Sequence, residues 1–348
     1  MPTPALSVIV VTPHDFAQLR RTVAHLRVQD GVEDTELVLV APDEAAVADA
    51  EPAELAAFGQ LTVVPVGPID NVDRAAARGM LAASAPVVAT IEDHAYVQAG
   101  WIRAVLAAYE QGDWVSVGSV MGNANPDSSF SWANLMLGYG WWIDRDHAGE
   151  MDDVPSHNAT YRREAVAAFG DELPRHVGRD GDLHERLRQA GGRMYLAPDA
   201  SITHANPSTL AATADLRFNA GRLYGAERAE DAGWSFARRL FYALASPLIP
   251  LVRLKRFFDE RLAPGRSHAE LFPAVLPGLI AALVLDAAGQ AVGYLRGPGA
   301  APDVLATFEM DRLQHLDRRD RRLLSAPPAP PALPASSPPS SPPSGERP

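Results

Sequence analysis

Through the first 120 residues, short apolar runs alternate with stretches in which apolar positions recur every three or four residues. Leu6-Ser7-Val8-Ile9-Val10-Val11-Thr12 is almost unbroken and rich in β-branched residues, the pattern of a strand buried on both faces. Phe16, Leu19, Val23 and Leu26 then fall on one helical face, opposite Arg20 and Arg21. Residues 36–40 and 61–64 read as the second and third strands, closed by Pro42-Asp43 and by Pro65. An alanine-rich helix follows over 70–79, and its Arg74 and Arg78 share one face. Residues 87–91 form a fourth strand, 101–109 a helix and 115–118 a fifth strand. This alternation predicts an α/β fold with a mostly parallel sheet and flanking crossover helices.

The fourth strand stops on Glu92-Asp93-His94, three side chains able to bind a divalent cation. In open α/β sheets ligands bind beyond the carboxyl ends of the strands, so this stretch is the first candidate for a site. Thr12, at the end of the first strand, is a candidate for the same pocket.

From Gly122 the pattern loosens into the turn-rich loop 123–129, then a helix carrying Trp132, Leu135, Met136 and Tyr139. Trp141-Trp142 could stack on sugars, meet a lipid interface or pack in the core. Residues 194–198 and 201–204 read as a pair of strands. Past Pro207 the chain turns helical, with Trp234, Phe236, Phe241 and Tyr242 beside an apolar run over 247–252. Arg253, Lys255, Arg256, Arg261 and Arg266 follow, and a third apolar stretch covers 271–285. None is an uninterrupted run of about 20 apolar residues, so these segments suit interfacial attachment, or a packed helical subdomain, better than a membrane span. The tail from Ala326 is almost entirely Pro, Ala and Ser and is expected to be disordered.

Charge and motifs narrow the chemistry. A formal net charge of -12 argues against nucleic acid as the main partner. With no cysteine among 348 residues, disulfides and thiolate metal sites are excluded. No G-x-G-x-x-G follows the first strand and no G-x-x-x-x-G-K-[ST] occurs, and Lys255 is the only lysine. A P-loop nucleotide site is therefore out. No cleavable leader is recognisable before Leu6, so a cytoplasmic location is expected, at the inner face of the cell membrane if the carboxyl-terminal helices attach there.

The order of these motifs resembles the GT-A nucleotide-sugar domain, a Rossmann-like fold, of family 2 glycosyltransferases. The resemblance rests on the first strand, Asp43 after the second, Ala77-Arg78-Gly79, Glu92-Asp93-His94 before Gly100-Trp101, Asn158 before Tyr161-Arg162-Arg163, Phe169-Gly170-Asp171-Glu172, and Arg179-Asp180-Gly181-Asp182-Leu183. It covers roughly residues 6–207. It implies that Asp43 contacts the base, that Glu92 and Asp93 hold the diphosphate, and that Arg74 or Arg78 reaches it, the alternative being a pair of surface arginines. It implies a divalent cation, Mn2+ or Mg2+, on Asp93, His94 and His204, and Asn158 near the donor sugar. Asp180 matches the catalytic base of inverting members, with Asp182 as its competitor. The chain departs from the family pattern at Gly79, Glu92, His94 and Arg179, where Asn, Asp, an acid and Glu are usual. Gly289-Gln-Ala-Val-Gly293-Tyr294 resembles an ending found in membrane-associated members.

The expected organisation is a glycosyltransferase domain over 1–206, with a nucleotide-sugar half (1–120) and an acceptor half (121–206). A helical region suited to a membrane interface (207–325) and a disordered tail (326–348) follow. The implied activity is a metal-dependent, inverting hexosyl transfer from a nucleoside diphosphate sugar to a hydroxyl of a glycan or lipid-linked acceptor, as in polysaccharide biosynthesis. A non-catalytic scaffold of the same fold that binds a nucleotide sugar or a partner enzyme is the alternative.

Overall fold

The computed structural model describes residues 3–143, 145–179 and 181–325, so the tail lies outside the described residues. The first half runs β1 (Leu6–Val11), α1 (Arg20–Leu26), β2 (Thr35–Ala41), α2 (Pro52–Leu55), β3 (Gln60–Pro65), α3 (Val72–Ala82) and β4 (Val87–Thr90). Next come β5 (Ala95–Val97), α4 (Trp101–Gln111), β6 (Trp114–Asn123), α5 (Ser129–Tyr139), β7 (Gly149–Met151) and β8 (Ala159–Arg162). The short helices α6 (Arg163–Ala167) and α7 (Leu173–Val177) lead to α8 (Asp182–Gln189) and β9 (Arg193–His204). All nine strands join one sheet in the order β3-β2-β1-β4-β8-β6-β9-β5, with β7 also on β9.

The sheet is parallel across β3-β2-β1-β4, where every residue of β2 is buried. Beyond β4 it is mixed, because β8 inserts antiparallel between β4 and β6. The two strands expected over 194–204 are one, β9, whose pairing with β6 skips from Ala197 to Ser201. Pro198 lies in that irregularity, where its missing N–H removes no ladder bond.

Glu36 of β2 is 1% exposed and supplies the polar tie of the parallel half. Its carboxylate accepts from Ser7 Oγ (2.5 Å), Thr62 Oγ1 (2.7 Å), Gln60 Nε2 (2.9 Å) and both N–H and Oγ of Ser84 (2.8 and 2.9 Å). Burial pushes this carboxyl up, but the donors on Ser7, Ser84 and Thr62 outweigh it and hold it below its ordinary 4.5. A carboxyl lowered by folding contributes stability that is complete above pH 4.5 and is lost as acidification passes its folded value. Glu36→Gln should cost about 1–3 kcal/mol at neutral pH, and the difference from the natural chain should shrink in acid, as urea unfolding at both pH values would read.

The remaining helices are α9 (Leu210–Asp231), α10 (Phe236–Ala245), α11 (Ile249–Phe257), α12 (Leu276–Arg296), α13 (Ala301–Met310) and α14 (Arg318–Ser325). By length and composition α12 could cross a membrane, yet more than half of it is buried inside the fold. Its glycines let it lie directly on α9: a β-carbon at Gly289 would stand 2.1 Å from the Phe218 carbonyl oxygen, and one at Gly293 2.2 Å from that of Arg222. The buried Asp286 of α12 accepts from Arg253 (3.0 Å) and Gln290 (2.7 Å).

Residues 301–325 return to the sheet as an arm. Gln18 donates to the Met310 carbonyl (2.8 Å), Asn125 to Asp320 (2.8 Å), and the Asp317 N–H to Ser208 Oγ (2.8 Å). The arm thereby crosses the carboxyl end of the parallel strands.

Candidate active site

After β4 the chain leaves the sheet at Glu92 and turns, with Ala95 N–H donating to the Glu92 carbonyl (3.1 Å). It then re-enters as β5, antiparallel to β9, in a register that sets Ala95 opposite His204. Ala205 N–H donates to the His94 carbonyl (3.0 Å), so two histidines 110 positions apart meet with ring centroids 4.7 Å apart. Helix α1 closes the outer edge of β5, where Thr22 Oγ1 donates to the Asp93 and Ala95 carbonyls (2.7 and 3.2 Å).

The two imidazoles face the carboxylate between them. His94 Nε2 is 3.7 Å from Glu92 Oε1, and His204 Nε2 is 3.3 Å from Glu92 Oε2. Each ring is turned that way by its other nitrogen. His94 Nδ1–H donates to Asp93 Oδ1 (2.6 Å) and His204 Nδ1–H to Asn206 Oδ1 (2.9 Å). Asn158 is a reciprocal clamp on Glu92: its Nδ2 donates to Oε2 (2.5 Å), and its Oδ1 accepts the Glu92 N–H (3.1 Å).

Both Nε2 atoms are buried and, among the described residues, neither has a hydrogen-bond partner. A buried ring nitrogen without a partner costs stability unless something binds it. The three ligand atoms of Glu92, His94 and His204 lie within 4.8 Å of one another, near the roughly 3–4 Å separation of ligands about 2.1 Å from one ion. Histidines whose far nitrogens are fixed by a carboxylate and an amide are the usual support of a metal site. These residues fit a divalent cation.

The charges are set by the same contacts. Burial pushes the Glu92 carboxyl up, but the imidazoles of His94 and His204 outweigh it and hold it well below the usual range. Burial lowers His204, only partly offset by Glu92. Tyr139, whose hydroxyl lies 3.4 Å from Glu92 Oε2, is pushed well above its usual range by burial and by that carboxylate.

Two clefts meet at Glu92. One opens between β1, β4 and α3, lined by Val11, Asp73, Ala76 and Asp93. The other is lined by Tyr139, Trp142, His157, His204, Arg217 and Arg312. Glu309 stands in both. A third, more open cleft shares Tyr139 and Trp142 and continues along Trp141.

The residues expected from sequence divide accordingly. Glu92, Asp93, His94, Asn158 and His204 are brought together. Of these, Asp93 touches His94 and lies outside the three-ligand group. Thr12 is buried and spends its hydroxyl on the Asp15 carbonyl (2.6 Å). Asp43 is exposed and accepts from Ala46 N–H (3.0 Å), and Arg74 and Arg78 are exposed on α3; none of the three lines the clefts at Glu92. Asp182 accepts from His176 Nδ1 (2.6 Å) and Arg186 Nε (3.2 Å), which overcome its burial and hold it below its ordinary value. Asp180 lies outside the described residues. Sequence reasoning missed Tyr139, Asn206, Glu309 and Arg312. Asn206 alone had a local signal, standing two residues past His204 as an amide that can orient it.

No curated protein sequence matches the chain. Among solved structures it is similar to GalNAc-T7 with UDP, GalNAc and Mn2+ (14% identity, TM-score 0.42, covering 58% of this chain and 44% of that one). It is also similar to S. aureus TarS (13% identity, TM-score 0.42, covering 76% of this chain and 45% of that one). The chain thus spans less than half the length of either. The family model described as "Glycosyltransferase like family 2" matches residues 3–221, from β1 through the acidic turn and β9 into α9. With that match over most of its length, the chain belongs to the family 2 glycosyltransferases and carries their GT-A fold.

Proposed function

We propose that the chain is a metal-dependent, inverting glycosyltransferase that moves a hexose from a nucleoside diphosphate sugar to a hydroxyl of a glycan or lipid-linked glycan. The observation that carries this reading is the pair of unsatisfied Nε2 atoms facing Glu92 where two clefts meet at the strand ends. Glu92, His94 and His204 hold the cation, while Asp93, Asn206 and Asn158 orient them. A divalent cation there, Mn2+ or Mg2+, supplies neutralising charge for a leaving diphosphate. The nucleoside takes the cleft beside α3. The acceptor enters along Tyr139, Trp141 and Trp142, whose faces suit a sugar ring. Asp180 removes the acceptor proton as its oxygen attacks the anomeric carbon opposite the diphosphate. The two donors already on Asp182 support Asp180 for that role.

The test is a panel of UDP-, GDP- and dTDP-sugars with Mn2+ or Mg2+, scored for transfer and hydrolysis. Turnover should vanish with EDTA, and Asp180→Asn should lower it by about 100-fold or more with Asp182→Asn milder. Nucleotide binding with no turnover on any donor would leave a non-catalytic scaffold instead.

The acceptor side belongs at the cytoplasmic membrane surface. Phe236, Phe241, Leu244, Leu248, Leu251 and Val252 of α10, α11 and the turn between them are 60–74% exposed. Soluble surfaces rarely leave so much contiguous apolar area bare. Residues 236–266 carry seven basic against two acidic side chains in a chain of net charge -12, and all the basic ones but the buried Arg261 reach the surface, which suits an anionic lipid surface. The chain should sediment with phosphatidylglycerol vesicles. Phe241→Asp with Leu244→Asp should cut that binding by about ten-fold or more, while uncharged vesicles should bind weakly throughout.

A further inference from the structure

The arm places an acid and a base in the candidate site from a part of the chain about 80 residues beyond the end of the family match. Arg312 is 6% exposed, lines the cleft of Tyr139 and His204, and donates through Nη2 to both oxygens of Glu309, leaving its buried Nε without a partner. Burial pulls the guanidinium down, but the Glu309 and Glu92 carboxylates more than restore it. Among the described residues, Arg217 and Arg312 are the arginines that line the clefts at Glu92. Arg217 is fixed by Asn134, donating to its Oδ1 (2.7 Å) and its carbonyl (2.9 Å). Arg312 is therefore the guanidinium placed to receive an anionic ligand, and Glu309, which stands in both clefts, is the anion it holds now.

We propose that Glu309 is an internal stand-in for the donor diphosphate, holding Arg312 until a phosphate displaces it and takes the guanidinium over. This rests on the reading that the clefts bind a nucleoside diphosphate sugar. A guanidinium donates to carboxylate and phosphate oxygens alike, so Nη2, which now serves both oxygens of Glu309, and the unpartnered Nε can serve a phosphate without rebuilding Arg312. A buried arginine without an anion would be costly, and Glu309 removes that cost in the donor-free protein. The arm keeps its attachments through Gln18, Asn125 and Ser208 while Glu309 turns away.

The two halves of this ion pair then have opposite effects, which no structural clasp would produce. In calorimetry with Mn2+ present and UDP, GDP or dTDP as titrant, Arg312→Gln should weaken binding of whichever nucleotide the natural chain prefers by about ten-fold or more. Glu309→Gln should tighten it several-fold, because the competing carboxylate is gone. The matching nucleoside monophosphate should shift less in both, and Mn2+ alone, a cation beside the same charges, should not shift in the direction of the diphosphate in either. If both variants weaken the diphosphate alike, the pair is a clasp holding the arm and the inference is overturned, with the donor reading intact. If the natural chain binds none of the three diphosphates, the donor reading falls and the inference falls with it.

Discussion

His204→Ala should lower affinity for Mn2+ by more than about 100-fold and abolish sugar transfer with it, since it removes one of the three proposed ligands and exposes the Glu92 carboxylate to an unfilled gap. Asp93→Asn is the graded companion. It keeps the ligands but weakens the hold on His94 Nδ1, and should cost about 10- to 100-fold in metal affinity. Titration of Mn2+ by calorimetry, without nucleotide, reads both directly. Unchanged binding in His204→Ala would remove the metal centre from the proposal. A loss in Asp93→Asn larger than in His204→Ala would make Asp93 itself the ligand.

The largest expected loss of stability lies where α12 packs on α9. Gly289→Val would force side-chain atoms into the space occupied by the Phe218 carbonyl and the Arg222 N–H, which stand 2.1 and 2.8 Å from the position of a β-carbon. These neighbours are helix backbone and cannot turn aside, so α9 and α12 must separate along a line that also includes Gly221, Gly225 and Gly293. The cost should be about 3 kcal/mol or more, or loss of soluble protein, read as a shift in the urea midpoint. Leu295→Val, an exposed change on the same helix, should stay within about 0.5 kcal/mol.

Much of the parallel half was legible because β1, β2 and β4 are buried on both faces and cannot hide their composition. The runs at 6–12 and 36–40 match β1 and β2 to within a residue or two. What escaped were strands too short to have a pattern: β5, β7 and β8 have three, three and four residues. They are set by partners distant in sequence. Pro198 made β9 look like two strands, although a bulge absorbs it.

The same division runs through the site. Glu92, His94 and His204 could be named because each ends a recognisable strand, and chemistry made them candidate ligands. Which of Glu92 and Asp93 joins the histidines is decided by the direction of the turn after β4, which the sequence does not announce. Glu309 and Arg312 carried no local sign at all. Their place depends on an arm whose anchors, such as Gln18 and Ser208, belong to other elements.

The three-residue pairing of β5 on β9 has a consequence for motion. So short an edge strand has little cooperative strength of its own, and its backbone bonds are the first expected to open. An ion shared by His94 and His204 would bridge the two strands across that weak join. The amide hydrogens of Tyr96 and Ala205, which would touch neither cation nor nucleotide, should then exchange with solvent more slowly once the site is filled. Loading of the metal and stiffening of this edge would be one event, visible at residues that bind nothing.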